Sequence, residues 1–202
     1  MSTFDVFGRR QREERERLGE RLPPGQKPTD GWPVLNYGGI PRIDAATWRF
    51  RVWGLVEEDK EWTWDEFLAL PQISDVSDIH CVTQWSKFDN EWEGISWREL
   101  LRHVKPLPDA KHVMAHCYGG YTTNIALADL DDDDVLFAFK HNGQPLAPEH
   151  GGPMRLVVPK LYFWKSAKWI RGVEFIGEER PGFWEMYGYH IHGDPWKEER
   201  YS

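Results

Sequence analysis

The stretch His150-Gly151-Gly152-Pro153-Met154-Arg155 is followed by Leu-Val-Val-Pro and joins a sharp turn to a short apolar segment. Two adjacent glycines before a proline are typical of a turn and allow another group to approach the backbone closely. The apolar residues that follow predict a strand over 154–158. The imidazole of His150 and the guanidinium fork of Arg155 can together hold an anion and ring edges. In an ordinary turn the same two side chains would be solvated or packed.

A second basic segment follows at Lys165-Ser166-Ala167-Lys168, ahead of a strand predicted over 168–176. Two ammonium groups and the backbone N–H groups between them can form a cradle for a phosphate. A basic run at the start of a strand is also common on ordinary surfaces. The cradle hypothesis therefore depends on whether this segment meets His150 and Arg155 in space.

Cys81 lies near the carboxyl end of a strand predicted over 76–83, in the sequence HCVTQWS (80–86). The chain has one other cysteine, Cys117, so it has neither a disulfide framework nor the paired spacing of a structural zinc site. A thiolate is a soft donor that suits a metal which changes oxidation state. The alternative for each cysteine is a small buried apolar residue.

Alternating apolar and polar residues predict strands over much of the remaining chain. In 47–56, for example, Trp48, Phe50 and Val52 alternate with polar neighbours, which is typical of a half-buried strand. Further strands are predicted over 113–118, 122–127 and 135–140, and Asn142-Gly143 predicts a hairpin turn. Strands outnumber helices without a regular alternation, which indicates an α+β fold with mixed β-sheets and short helices.

Two short helices are predicted by their capping residues. Thr63 precedes WDEF and Ser96 precedes WRELLRHV, and each is followed by a glutamate three positions on, Glu66 and Glu99. This spacing is that of the capping box, in which side chains satisfy the free N–H groups of the first turn.

The ends of the chain differ in composition from its middle. The charged segment 9–21 has almost no apolar stripe and 22–33 is rich in proline, so 1–29 is predicted to be an N-terminal arm. Residues 30–202 then form one domain. The aromatic segment from Pro181 is predicted to wrap back on that domain, and a lid over a site is the alternative.

The charge and hydropathy of the chain exclude several classes. The 202 residues carry a formal charge of −8 with a pI near 5.5, which argues against a nucleic-acid-binding protein. No apolar run is long enough to span a membrane, and the first residues lack the pattern of a secretory signal, so we expect a cytoplasmic protein. The acidic run 131–134 is expected to lie in a solvated loop rather than to bind a cation.

Four separated segments together resemble the molybdopterin-binding domain of the sulfite oxidase family, and they occur in the family's order. They are most similar to the bacterial branch that includes the methionine-sulfoxide reductase catalytic subunit. HCVTQWS resembles Cys-Val-x-x-Trp-Ser of that branch, and the stretch from His150 resembles His-Gly-x-Pro-x-Arg-x-x-Val-Pro. The segment from Lys165 resembles Arg-Ser-Val-Lys-Trp, and Asn36-Tyr37-Gly38 lies where the family has residues against the pterin. The resemblance covers 30–176 and implies the sulfite oxidase-type molybdopterin-binding fold.

The resemblance also implies a cofactor and its protein contacts. Cys81 corresponds to the single protein ligand of molybdenum. Tyr162 lies where the branch has a tyrosine near the metal, and Cys117 lies where it has a threonine against the pterin; both have a core position as the alternative. The residues implied to bind molybdopterin are Asn36, Tyr37, Gly38, Cys81, Cys117, His150, Arg155, Lys165, Ser166, Ala167 and Lys168.

The implied reaction is a two-electron oxygen-atom transfer on a small-molecule substrate, with an external electron donor or acceptor. Sulfite oxidases have arginines after the cysteine that hold their anionic substrate, whereas this chain has Val-Thr-Gln-Trp-Ser over 82–86. Sulfoxide or N-oxide reduction is therefore expected rather than sulfite oxidation.

Two alternatives come from other classes of protein. The 12 tryptophans suit a metal-free module that stacks a sugar or peptide on Trp53, Trp62, Trp64, Trp85, Trp92 and Trp97. A zinc hydrolase could use His80, Cys81, His116 and Cys117. Adjacent residues of a strand point to opposite faces, however, so each His-Cys pair would offer one ligand to a common site.

Overall fold

The computed structural model describes residues 17–202, so the first part of the predicted arm, 1–16, lies outside the described residues. The strands are β1 (Lys27–Pro28), β2 (Arg49–Gly54), β3 (Lys60–Thr63), β4 (Ile73–His80), β5 (Trp85–Ser96), β6 (His112–Cys117), β7 (Thr122–Ala126), β8 (Leu136–His141), β9 (Gln144–Pro145), β10 (Arg155–Val157) and β11 (Ile170–Ile176). The α-helices are α1 (Trp64–Leu68), α2 (Trp97–His103), α3 (Leu127–Leu130) and α4 (Phe183–Met186).

The strands form two mixed sheets. In the six-stranded sheet the order is β1-β5-β8-β10, with β4 paired to β5 and β9 paired to β8. In the five-stranded sheet the order is β3-β2-β11-β6-β7, and the β2–β11 pair is parallel. The predicted α+β class with mixed sheets and short helices is confirmed.

The main core lies between the two sheets. Phe50 of β2 and Phe175 of β11 belong to the five-stranded sheet, whereas Ile95 of β5 and Phe137 of β8 belong to the other, and all four are in one buried cluster. The rings of Phe50 and Phe137 meet at a centroid distance of 5.0 Å. Burial of apolar rings from both faces is what holds the two sheets together.

The predicted local signals are present. Thr63 and Glu66 form the complete capping box of α1, and the Ser96 side chain accepts from the N–H of Glu99 at the start of α2. Asn142 and Gly143 both have positive φ, 49° and 71°, and form the two-residue turn between β8 and β9. These features depend on near neighbours in the sequence, which is why they could be predicted.

The longest strand, β5, was not predicted. Its inward positions include the polar residues Ser86 and Asn90, both 0% exposed, which break the apolar alternation. Their polarity is satisfied inside the protein, because Ser86 hydrogen-bonds His80 and Asn90 donates to the carbonyls of Ser77 and Lys87. Buried polar groups with such partners are stable in a strand but give no hydrophobic pattern.

Both ends of the described chain lie against the domain. Lys27–Pro28 pairs with β5, and Arg21 binds Asp78 and Asp89. In the C-terminal segment, the Arg200 guanidinium donates to the carbonyls of Val82 and Pro24. None of the helices in residues 17–202 is long and apolar enough to cross a membrane.

Candidate functional site

A cavity of about 400 Å³ opens beside the turn between β4 and β5. Six of the residues predicted for the site lie on its wall: Asn36, Tyr37, Cys81, Arg155, Ser166 and Lys168. They come from the lead-in segment, a hairpin turn, β10 and the segment before β11. The fold therefore brings residues of all four resembling segments to one cavity.

Cys81 lies at the tip of the β4–β5 hairpin, one residue beyond the observed end of β4. The turn is closed by hydrogen bonds from Cys81 N to Trp85 O (2.8 Å) and from Gln84 N to Cys81 O (3.0 Å), with Gln84 at φ 70°. The buried Gln26 amide also donates to Cys81 O at 3.0 Å. The thiol position is thus fixed from two sides, and Sγ lies 3.1 Å from Thr83 Oγ1. Burial raises the pKa of the thiol, and the contact with Thr83 opposes this shift.

Arg155 is a buried cation whose polar partners are uncharged. Its side chain is 1% exposed and donates to the carbonyls of His150 (2.8 Å) and Ser166 (2.6 Å). The guanidinium also lies over the ring of Phe163 at 4.0 Å. Burial lowers the pKa of Arg155 to about 9. Among residues 17–202 it has no carboxylate partner.

Lys168 is also a cation whose polar partners are uncharged, but it is only partly buried. Its ammonium donates to the carbonyls of Leu35 and Glu149, each at 2.9 Å, and to the side-chain oxygen of Asn36. Burial and the nearby Arg155 lower the pKa of Lys168 to about 8. No ion pair joins it to an acid in the described part of the chain. Two cations with only neutral partners make this end of the cavity complementary to an anion.

Six other predicted residues lie outside the cavity lining: Gly38, Cys117, His150, Tyr162, Lys165 and Ala167. His150 stacks on Trp32 with ring centroids 3.9 Å apart, and Trp32 itself lines the cavity. Cys117 is 2% exposed in the core between the sheets, where burial raises the pKa of its thiol. It lies there because β6 turns that side chain toward the core.

Tyr162 also lies behind the wall. It is 0% exposed, and its ring stacks on that of Trp164 at 5.3 Å, while the Arg200 guanidinium lies 4.9 Å from its centroid. Burial raises the pKa of its hydroxyl. Trp164, rather than Tyr162, lines the cavity at this point.

The Lys165 side chain is directed away from the cavity. Its ammonium lies 2.6 Å from Glu185 Oε1, and both side chains are 1% exposed. It also donates to Asn124 through the carbonyl and the side-chain oxygen, each at 2.9 Å, and to the carbonyl of Ile191 at 2.6 Å. The sequence pattern predicted the same phosphate-binding role for Lys165 and Lys168, and it did not show that their side chains have different surroundings.

Most of the remaining wall is aromatic. Trp164, Trp184 and Tyr189, which we call the aromatic wall, lie on the Cys81 side. Tyr189 stacks on Trp184 at 5.1 Å and meets Trp164 edge-on at 5.1 Å. Sequence reasoning missed these residues, although the aromatic composition of the C-terminal segment was a signal that it covers something.

The four residues of the zinc hypothesis do not assemble. His80 Nδ1 lies 2.8 Å from Ser86 Oγ, and His116 lies 3.1 Å from Glu174. In the part of the chain that the structure describes, the one group of three potential metal ligands is His192, Asp194 and Glu199. The zinc hydrolase alternative is therefore wrong.

Comparison with known proteins decides the family. The profile described as "Oxidoreductase molybdopterin binding domain" matches residues 37–184. The chain belongs to this family. The relationship excludes a metal-free binding module, and it makes the protein a molybdopterin-dependent oxidoreductase with molybdenum and molybdopterin as its cofactors.

Similar proteins support this assignment at several levels. The chain is 44% identical over 183 residues to the uncharacterized oxidoreductase YuiH of Bacillus subtilis (strain 168), covering 90% of this chain and 92% of that one. It is 34% identical to the putative protein-methionine-sulfoxide reductase subunit YedZ1 of Azospira oryzae, covering 82% of this chain but 64% of that relative. The crystal structure of the sulfane dehydrogenase SoxCD from Paracoccus pantotrophus matches 69% of this chain and 41% of that one, with a TM-score of 0.63 at 24% identity, which shows a shared fold.

The residues on the cavity wall fit the family's cofactor. Cys81 supplies a free thiol, a soft donor that molybdenum accepts. Arg155 and Lys168 supply positive charge without a carboxylate partner among residues 17–202, as a pterin phosphate requires. The observation that carries the fit is this pair of cations, because a buried Arg155 and a nearby, partly buried Lys168 with only neutral partners are unfavourable unless an anion joins them.

Proposed function

We propose that this protein reduces a small neutral sulfoxide or N-oxide by two-electron oxygen-atom transfer, with Cys81 as the protein ligand of molybdenum. The single observation that carries the proposal is the lining around Cys81, which is aromatic and hydroxyl-bearing. The two cations of the lining, Arg155 and Lys168, already donate to backbone carbonyls at the other end.

The chain's own residues have separable roles in this proposal. When bound, the cofactor supplies the exchange of an oxygen atom and two electrons. Arg155 and Lys168 would hold its anionic group, on the same cavity wall as Cys81. The Thr83 hydroxyl, 3.1 Å from Cys81 Sγ, fixes the orientation of the sulfur. A metal cation at the thiol favours the thiolate and so opposes the effect of burial on the pKa of Cys81.

The aromatic wall suits a neutral substrate with a strong dipole. Sulfite would have to lose its hydration on entry, and that cost is usually met by fixed guanidinium groups. Neither Arg42 nor Arg171 lines this cavity. The faces of Trp164, Trp184 and Tyr189 can instead contact methyl groups and the positive end of an S–O or N–O bond.

The names of two relatives also support sulfoxide reduction. YedZ1 is described as a putative protein-methionine-sulfoxide reductase subunit, and the protein-methionine-sulfoxide reductase catalytic subunit MsrP of Ralstonia nicotianae is 26% identical over 188 residues, covering 83% of this chain and 56% of MsrP. The chain spans less than two thirds of the length of either relative. That this protein shares their substrates is therefore part of the proposal. An external electron donor of unspecified chemistry completes the turnover.

The proposal is tested by steady-state kinetics of the purified holoenzyme. Reduced viologen with dimethyl sulfoxide, methionine sulfoxide or trimethylamine N-oxide is compared with sulfite and ferricyanide. We expect a higher kcat/KM for at least one sulfoxide or N-oxide than for sulfite. Efficient sulfite oxidation together with no sulfoxide or N-oxide reduction would overturn the proposal and require an arginine from elsewhere to reach the pocket.

A further inference from the structure

The aromatic wall is joined to a buried ion pair that the proposed chemistry does not use. Glu185 lies on α4, next to Trp184 in the sequence, and its carboxylate is paired with the Lys165 ammonium at 2.6 Å. The same oxygen, Oε1, accepts from the Trp164 indole N–H at 3.0 Å and from Thr123 Oγ1 at 3.0 Å. One buried atom therefore connects the wall residue Trp164, strand β7 and the helix that carries Trp184.

Trp164 is held at three points. Its indole N–H donates to Glu185, and its backbone carbonyl accepts from the Tyr121 hydroxyl at 2.6 Å. Its ring is in close contact with the backbone at Gly193, where an added Cβ would lie 2.8 Å from the indole. Of the three, the bond to Glu185 is the one directional contact made by the ring itself, so it fixes the rotation of the ring.

We propose that Glu185 is a positioning residue for the substrate end of the cavity, and that Lys165 makes this possible by compensating its charge. Glu185 acts through Trp164 and through α4, which places Trp184. The inference rests on the proposed function in that it assigns the aromatic wall to substrate binding. It assigns Lys165 to the wall rather than to the cofactor.

The charge and the hydrogen bond of Glu185 can be separated by substitution. A buried carboxylate without Lys165 would be strongly unfavourable, and so would the converse, so single variants mix two effects. In Lys165→Met/Glu185→Gln the site is neutral and the amide oxygen can still accept from Trp164. In Lys165→Met/Glu185→Met the site is neutral, similar in size and without an acceptor. Both variants lose the bonds of Lys165 to Asn124 and Ile191 equally.

We expect the Gln double variant to keep the wild-type KM within about twofold. The Met double variant should raise KM about five- to tenfold, because the Trp164 N–H loses its acceptor. Thr123 loses the same acceptor but does not line the cavity. The kcat should change less than KM, because the wall binds substrate and transition state alike. The near-UV circular dichroism of the aromatic side chains should change in the Met double variant only. A matched control is Lys140→Met/Glu93→Met, which removes a partly exposed ion pair of 2.8 Å in the six-stranded sheet. It should leave the KM and the near-UV spectrum at wild-type values.

Equal KM values and equal spectra in the Gln and Met variants would overturn the proposal, because the pair would then be only structural. If either double variant does not fold, Trp164→Phe removes the indole N–H while leaving the ion pair intact, and an unchanged KM there would also overturn it. The KM is measured with whichever substrate the wild type turns over, and the spectrum needs no substrate. Failure of the sulfoxide assignment is thus distinguishable from failure of this inference.

Discussion

Lys165 and Lys168 belong to one short segment, yet the fold gives them opposite surroundings. Lys165 is fully buried and pairs with the Glu185 carboxylate at 2.6 Å. Lys168 donates to two carbonyls and an amide oxygen, none of them ionised. A buried cation with its own carboxylate leaves no charge for a ligand, whereas a cation with neutral partners attracts an anion. Under the proposed function, this difference divides the cavity into a cofactor end at Lys168 and a substrate end, and the charge of Lys165 is compensated behind the substrate end.

The thiol between these two ends gives the largest expected effect. Cys81→Ser should abolish turnover, because a hard hydroxyl is a different donor from a soft thiolate. Cys117→Ser should keep most of the turnover, since Cys117 lies in the core outside the cavity lining, and should cost about 1–3 kcal/mol of stability for a buried hydroxyl. Activity, molybdenum content and the free energy of unfolding are measured for both. Equal loss of turnover in the two variants would mean that the thiol roles are misassigned.

The two lysines themselves give the next largest effect. In Lys168→Met the amount of pterin bound per chain should fall about tenfold or more, because a charge-assisted hydrogen bond contributes about 1.5–3 kcal/mol. Lys165→Met should instead lower the free energy of unfolding by about 3–5 kcal/mol, since it leaves Glu185 buried and unpaired. Molybdenum and the fluorescent oxidised pterin are quantified per chain, and unfolding is followed in urea.

Lys160→Met is the matched control for this pair, because Lys160 is a partly exposed lysine that binds Asp132 outside the cavity. It should retain wild-type pterin content. If Lys168→Met keeps its pterin while Lys165→Met loses it at unchanged stability, the division of the cavity into two ends is reversed.

The sequence predicted those parts of the fold that depend on near neighbours. The caps at Thr63 and Ser96 and the Asn142-Gly143 turn are decided within a few residues. The strand β5 was missed because Ser86 and Asn90 are buried and polar, and their hydrogen-bond partners lie on other segments. A pattern of apolar residues cannot show that a polar group will find a partner inside the protein.

The site was predicted to a similar extent and for a similar reason. The motifs singled out Cys81, Arg155 and Lys168, and the structure places all three on the wall of one cavity. They did not show that Lys165 faces Glu185, since that carboxylate arrives from the C-terminal segment. The aromatic wall was missed for the same reason: Trp184 and Tyr189 reach the cavity only through the path of the folded chain.

The smallest expected effect is a pH dependence at His141, whose ring lies 4.5 Å from that of Trp32 in the cavity lining. Burial first, and then the nearby charges of Lys87, Arg155 and His150, lower the pKa of His141 to about 4. An unfolded histidine titrates near 6.5, so the unfolded chain takes up this proton first, and stability falls as the pH drops from about 6.5 towards 4. Because His141 is partly exposed, we expect a contribution of about 1 kcal/mol at pH 5, or about 2–4 °C in Tm for a chain of this size. In the wild type, His141 Nε2 lies 3.1 Å from Asn90 Oδ1, and the amide in His141→Gln can still donate to that oxygen. Because glutamine does not titrate, this variant should show a smaller fall in Tm between pH 7.5 and pH 5 than the wild type. An identical fall in both proteins would show that His141 does not contribute to the pH dependence, and so that its pKa is not lowered in the folded protein.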